Sequence, residues 1–225
     1  MARRNRGPGT FSALIIGILN LLIGGFVGIL IAGLYLVFKP VHEVRRMPAE
    51  DAIKPGVYYV EGRRSGIDGA EWVGKRNELV SDAPFEFTLR EEELNQWSSS
   101  SYGELRKHLK LEYGDTKFEP GIPMFRINEG QIQVGVPVEL NGIGDNFRII
   151  LQAKGDFQPG ADGVNRFKAS TLYLGSCRIP NFQHLSSSVS GGLAKAMGVP
   201  EDVLTAWSSL SEVVVDGDTI KLARR

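Results

Sequence analysis

The sequence predicts an α+β fold: an N-terminal single transmembrane helix followed by a curved antiparallel sheet with helices packed on one face. Three observations carry that expectation. One long apolar run opens the chain, period-two segments fill the stretch from Pro123 to Leu174, and helical spacing brackets that block on both sides. At 225 residues there is room for one domain plus appendages. The expected organisation is a basic cytoplasmic tail (1–10), a span (11–38), a stalk (39–56) and an extracytoplasmic α+β domain (57–225).

The span is "FSALIIGILNLLIGGFVGILIAGLYLVF", Phe11 to Phe38, 28 residues with no acidic or basic side chain. At about 1.5 Å per residue such a helix crosses a hydrocarbon core of roughly 30 Å. A backbone in lipid must satisfy its own hydrogen bonds, so helix is expected despite five glycines. The apolar run exceeds an ordinary signal-peptide core, and "VFKPVHEV" beyond it is no small-residue cleavage site. Flanking cations nearly tie: Arg3, Arg4 and Arg6 before the span, Lys39, Arg45 and Arg46 after it. The short acid-free tail tips the expectation to N-terminus inside, as an uncleaved signal anchor. Gly17, Gly24, Gly28 and Ala32 fall near one face, and Gly24 to Gly28 is a GxxxG. Small residues at that spacing admit a homodimer or a partner transmembrane helix, although glycine is also simply common in membrane helices.

Beyond the span, "KPVHEVRRMPAEDAIKPG" mixes charges with three prolines and suggests a stalk. "VYYVEGRR" suits a short strand. "AEWVGKRNELV" places Trp72, Arg76, Leu79 and Val80 at helical spacing. In "FTLREEELNQWSSSS", Thr88 and Glu91 form a capping box, and Glu91, Glu92 and Glu93 fall in the first helical turn, where they suit the helix dipole. Leu94 and Trp97 then face inward, and Ser98 to Ser101 end or loosen the helix.

The pattern next becomes strictly alternating. "MFRINEGQIQVGVPVEL" turns at Asn128-Glu129-Gly130, with Ile132, Val134, Val136 and Val138 on one face of the second arm. Pro137 lacks a ladder donor, which predicts an edge or a bulge there. "NFRIILQAKGDF" puts Phe147, Ile149, Leu151 and Ala153 on one face. "GVNRFKASTLYLG" puts Phe167, Ala169, Thr171 and Tyr173 on one face and Leu172 and Leu174 on the other. After Pro180, Phe182, Leu185, Val189, Leu193 and Met197 restore helical spacing, and a short helix after Pro200 carries Val203, Leu204 and Trp207 inward. "EVVVDGDTIKLARR" closes the chain with two arms around Asp216-Gly217-Asp218.

Charge narrows the function. With three of the 26 basic residues in the first 38, the rest carries 23 against 26 acidic residues, so no cationic domain is present to hold nucleic acid. One cysteine excludes an intrachain disulfide framework and a cysteine cage. His42, His108 and His184 are scattered, and GxSxG, SxxK, Walker A and HExxH patterns are missing. Three consecutive carboxylates could serve catalysis, but a solvated first turn also accounts for them. Asp216 and Asp218 could hold calcium, but a turn needs them equally. Arg178 beside Cys177 could activate the thiol, but free cysteine is commonly a small core hydrophobe. No catalytic residue, metal ligand or cofactor is assigned.

"FTLREEELNQW", "FRINEGQIQVGVPVEL", "STLYLGSCRIPNFQHL" and "VVVDGDTIKL" occur in an order that resembles YpmS-like membrane-anchored bacterial proteins and the related tubular lipid-binding-like extracytoplasmic domains. The resemblance covers Phe87 to Leu222. Leu94, Asn95, Leu174, Gly175, Ile179 and Pro180 match its signature positions, and they are fold positions. It implies a single-pass anchored domain with an elongated apolar face. The function expected is therefore non-enzymatic binding of a lipid or other apolar ligand between sheet and helix, in a groove formed by Leu94, Trp97, Leu172, Leu174, Ile179, Phe182, Leu185 and Val189. The alternative is a scaffold or interaction subunit of a cell-envelope membrane complex.

Overall fold

The computed structural model describes residues 10–64, 69–108, 111–113, 116–141, 147–180 and 199–225. They form an α+β structure in which an N-terminal apolar helix precedes antiparallel sheets and a few further helices. Helix α1 (Thr10–Phe38) contains a 25-residue stretch, Leu14–Phe38, of mean hydropathy 2.7 with no residue buried, and it is long and apolar enough to cross a membrane.

The segment expected as a stalk is partly paired. Strand β1 (His42–Val44) lies parallel to β2 (Tyr58–Val60), with one 3-10 turn at Glu50–Ala52 between them. The His42 and Tyr58 rings meet at 4.8 Å, so the chain doubles back as soon as it leaves α1. Tyr59 is buried, and its ring occupies the space where Gly135 lacks a side chain.

Helix α2 (Gly69–Val80) is followed by β3 (Phe85–Arg90) and α3 (Glu91–His108). Here two expectations are corrected. Thr88 does not cap a helix, because the alternation Phe85, Phe87, Leu89 is used as a strand that pairs with the end of the chain, Phe87 opposite Leu222 and Leu89 opposite Ile220. The helix starts at Glu91, and the cap is made by Glu93, whose Oε2 accepts from the Arg90 N–H at 2.7 Å. Nor do Ser98 to Ser101 end it. Two of their hydroxyls find acceptors without breaking the helix, Ser98 on the Pro123 carbonyl (2.7 Å) and Ser100 on that of Trp97 (2.9 Å).

The largest sheet follows the order β10-β9-β8-β7-β5-β4, with β6 also paired to β7. Its strands are β4 (Leu111–Tyr113), β5 (Thr116–Pro120), β6 (Met124–Asn128), β7 (Gln131–Asn141), β8 (Phe147–Pro159), β9 (Asn165–Leu174) and β10 (Cys177–Arg178). β6 to β9 form the expected meander. The β6–β7 turn has Glu129 at φ +54° and Gly130 at φ +69°, the left-handed pair that matches strand twist in a two-residue hairpin.

Pro137 lies at neither an edge nor a bulge: β7 is flanked on both sides. β6 pairs with β7 only up to Gly135, and β5 takes over at Val138. The Pro137 carbonyl faces that gap and accepts from the Gly121 N–H at 2.6 Å. A strand residue directs its nitrogen to the same side as its carbonyl, so the missing donor points into the gap and the β8 ladder loses nothing.

In β9 the expected division of faces is also corrected. Gly155 stands opposite Ala169 but Lys154 opposite Thr171, which leaves Ser170 as an extra residue. That bulge reverses the alternation. Phe167, Ala169, Leu172 and Leu174 therefore share the face that also carries Ala153, Leu151, Val134 and Val136.

Helix α4 (Glu201–Ser208) precedes the hairpin β11 (Glu212–Asp216) and β12 (Thr219–Arg224), which joins β3 in a separate three-stranded sheet. In α4, Val203 and Ala206 are buried, and Leu204, 44% exposed, borders with Val203 and Trp207 the apolar space between helices and sheets. The two acidic-glycine hairpins touch at their turns through Gly130 N–H to the Gly217 carbonyl, 3.3 Å. The main core joins Leu79, Leu94, Ile127, Val134, Val203, Leu210 and Leu222. A smaller cluster holds Ala153, Ala169 and Leu172.

Candidate apolar ligand site

Period-two and period-3.6 patterns direct apolar side chains from both sheets and three helices toward one space. Phe87 and Leu89 come from β3, Ile220 and Leu222 from β12, Ile132 and Val134 from β7, and Phe157 and Phe167 from the outer ends of β8 and β9. Helices contribute Trp72, Leu94, Trp97, Val203 and Trp207. The space measures about 440 Å³, within the range of roughly 300–1,000 Å³ usual for small-molecule sites. Aromatic pairs frame it: Trp72 with Trp97 at 6.3 Å, and Phe157 with Trp207 at 5.2 Å and Phe167 at 5.9 Å. Trp207 is held by its indole N–H, which donates to the Asn165 carbonyl at 2.8 Å.

Polar groups reach this cavity at few points. Lys75 Nζ bonds Glu93 Oε1 at 2.5 Å and the Thr88 carbonyl at 2.7 Å. Arg76 pairs with Asp202 and Arg166 with Asp162. The Arg166 guanidinium, with the Val164 N–H assisting, holds the Asp162 carboxyl down at about 2.

The opposite flank of α3 is polar and saturated. Glu91, Asn95 and Ser98 recur at helical spacing and face the outer edge of β6. Glu91 accepts from Ile127 N–H (3.1 Å) and from Arg63 N–H (2.6 Å). Asn95 accepts from Phe125 N–H (2.7 Å) and donates to the carbonyls of Phe125 (2.8 Å) and Arg63 (2.9 Å). Four residues of helix advance about 6 Å and two of strand nearly 7 Å, so the side chains keep step with alternate strand positions. They supply the partners that another strand would give, and so close an edge that would otherwise be open to pairing. Glu91 and Glu93 are not solvated, as the first-turn alternative expects, but nearly fully buried. Their oxygens are engaged by backbone donors and Lys75, an arrangement that positions chain segments rather than a reactant.

The corner "LGSCRIP" takes up the end of α1. Gly175 turns the chain at φ +58°, and a side chain there would strike the Val37 carbonyl at 2.1 Å. Ser176 N–H donates to the Leu36 carbonyl at 3.0 Å, and its hydroxyl reaches the Lys39 and Pro40 carbonyls at 3.0 and 3.3 Å. These satisfy carbonyls that the last helical turn leaves without partners. Phe38 meets Phe147 edge to face at 5.6 Å. Cys177 is half-buried beside this joint, and its nearest polar contact is the Arg178 carbonyl at 3.8 Å.

Of the residues expected in a groove, Leu94 and Trp97 line the cavity. Leu172 and Ile179 belong to the smaller cluster, and Leu174 ends β9 near the joint; none of these three lines the cavity. Phe182, Leu185 and Val189 lie outside the described residues. Gly17, Gly24, Gly28 and Ala32 are exposed along α1, with open space beside each glycine. Missed in the sequence were Phe87, Leu89, Ile220 and Leu222, whose alternation was legible but whose pairing is long-range. Among the described residues no group of three metal-ligating side chains gathers. No protein-family model and no curated protein matches the chain.

Proposed function

We propose that this chain is a single-pass, membrane-anchored, non-enzymatic domain that holds a lipid or another alkyl ligand between a curved sheet and the helices over one face. The cavity of about 440 Å³ carries the proposal, since apolar and aromatic side chains line most of it and few polar groups reach it. The resemblance to tubular lipid-binding-like domains points the same way. In this reading α1 anchors the domain in a bacterial inner membrane with the N-terminus inside and the domain outside the cytoplasm.

The test is native mass spectrometry of the full chain released from membranes in mild detergent. Lipid at near one-to-one stoichiometry is expected, and Val203→Phe, which fills the cavity, should lose it. A chain that keeps no lipid, and whose thermal midpoint no alkyl compound raises, would remove the proposal. A second reading, a scaffold subunit of an envelope complex, has one observation in its favour: the open face of Gly17, Gly24 and Gly28 on α1. Crosslinking in membranes that returns only monomer would count against it.

A further inference from the structure

The cavity's few polar groups are unequal in sign. Among the described residues that line it, Lys75, Arg76 and Arg166 are cationic and Glu93 is the one carboxylate. Glu93 is already spent: one oxygen lies on Lys75 and the other accepts from the Arg90 N–H. Asp202 and Asp162, which neutralise the two arginines, do not line the cavity. The lysine is only partly committed. An ammonium has three hydrogens, and among the described residues two of those on Lys75 have acceptors, Glu93 and the Thr88 carbonyl. Each arginine likewise has five donors and, among the described residues, one carboxylate partner. One spare hydrogen on Lys75, whose side chain is 21% exposed, thus stands beside the apolar lining, where an ionic hydrogen bond is stronger than in water, while Arg76 and Arg166 hold theirs at the more open rim.

We propose that the ligand is an anionic amphiphile, one alkyl chain bearing a carboxylate or phosphate, with its chain among Trp72, Trp97, Phe157 and Trp207 and its head at Lys75, Arg76 and Arg166. This rests on the apolar-ligand reading and goes beyond it by fixing the sign of the head. A neutral alkyl compound fills the same volume but leaves those donors unanswered. An amphiphilic cation finds on the lining only the Glu93 carboxylate, whose two oxygens are already engaged.

The test uses the full chain in lipid nanodiscs with three photoreactive probes of equal chain length: a diazirine-bearing oleate, the corresponding alcohol and the corresponding lysophosphatidate. Labelling is read by peptide mass spectrometry at the cavity tryptophans. At least one acidic probe should label with an apparent affinity some tenfold above the alcohol, and the better acid identifies the head as carboxylate or phosphate. Arg76→Gln combined with Arg166→Gln should narrow the gap between acid and alcohol. Asp202→Asn, which frees Arg76, should tighten the acid several-fold, a gain that misfolding cannot mimic. Equal labelling by acids and alcohol overturns the anionic head and leaves the apolar cavity standing. No labelling by any probe overturns both.

Discussion

The two flanks of α3 bury their side chains by opposite means. Toward β6, Glu91, Asn95 and Ser98 are polar, and each meets a specific backbone group of a neighbouring segment. Toward the cavity, Leu94 and Trp97 are apolar and border unfilled volume. The polar flank leaves no room for a ligand because every bond has a fixed partner. The apolar flank tolerates vacancy because dispersion contacts have no fixed partners. One helix therefore separates a part of the molecule that specifies the fold from a part free to take a guest.

The sharpest way to break this contrast is Asn95→Leu. It keeps volume but orphans the buried Phe125 N–H and two carbonyls, and the expected loss is about 4 kcal/mol in a denaturant titration of the full chain in detergent. Leu94→Ala, one residue on, should cost less, about 2–3 kcal/mol, because it only enlarges a void that already exists. A loss as large as that of Asn95→Leu would show the two flanks to be alike.

Val203→Phe sharpens the contrast through its sign. In an empty cavity the added ring gains contacts and should stabilise the ligand-free protein by about 1 kcal/mol; in a filled core the same change would cost about 1–3 kcal/mol. The thermal midpoint of delipidated protein distinguishes these.

The smallest effect belongs to the rim. Arg166 depresses the Asp162 carboxyl to about 2, so its contribution is present above the ordinary carboxylate value near 4 and is lost as pH falls through about 2. The pair is open to solvent and screened. Asp162→Asn should leave the midpoint at pH 7 unmoved, while a carbon-detected NMR titration of the wild type should place the Asp162 carboxyl near 2.

Local patterns carried much of this into the sequence. Alternation located β6 to β9, glycine in acidic turns located both hairpins, and length with apolarity located α1. What escaped was set by partners distant in the chain. β3 pairs with residues 129 to 139 positions away, Phe85 facing Arg224 at the far end, and nothing near Thr88 announces it; the same segment read alone is a helix start. The Ser170 bulge moved Leu172 and Leu174 to a face that simple alternation denied them. Pro137, which by itself predicts an edge or a bulge, sits in a central strand because the gap between β6 and β5 faces its missing donor. At the cavity, Leu94 and Trp97 were legible from helical spacing, whereas Phe87, Leu89, Ile220 and Leu222 needed the β3–β12 register.

The joint at Gly175 and Ser176 has a mechanical consequence. A globular body on a slack tether samples all azimuths above a bilayer, but here β9 is bolted to the last turn of α1 through the Leu36, Lys39 and Pro40 carbonyls. The body inherits the tilt and rotation of α1. Any torque on α1 enters the large sheet at one end of β9, whose other end holds Phe167 and Asn165 at the cavity wall. The strand is a crankshaft between the anchor and the space where a guest would sit.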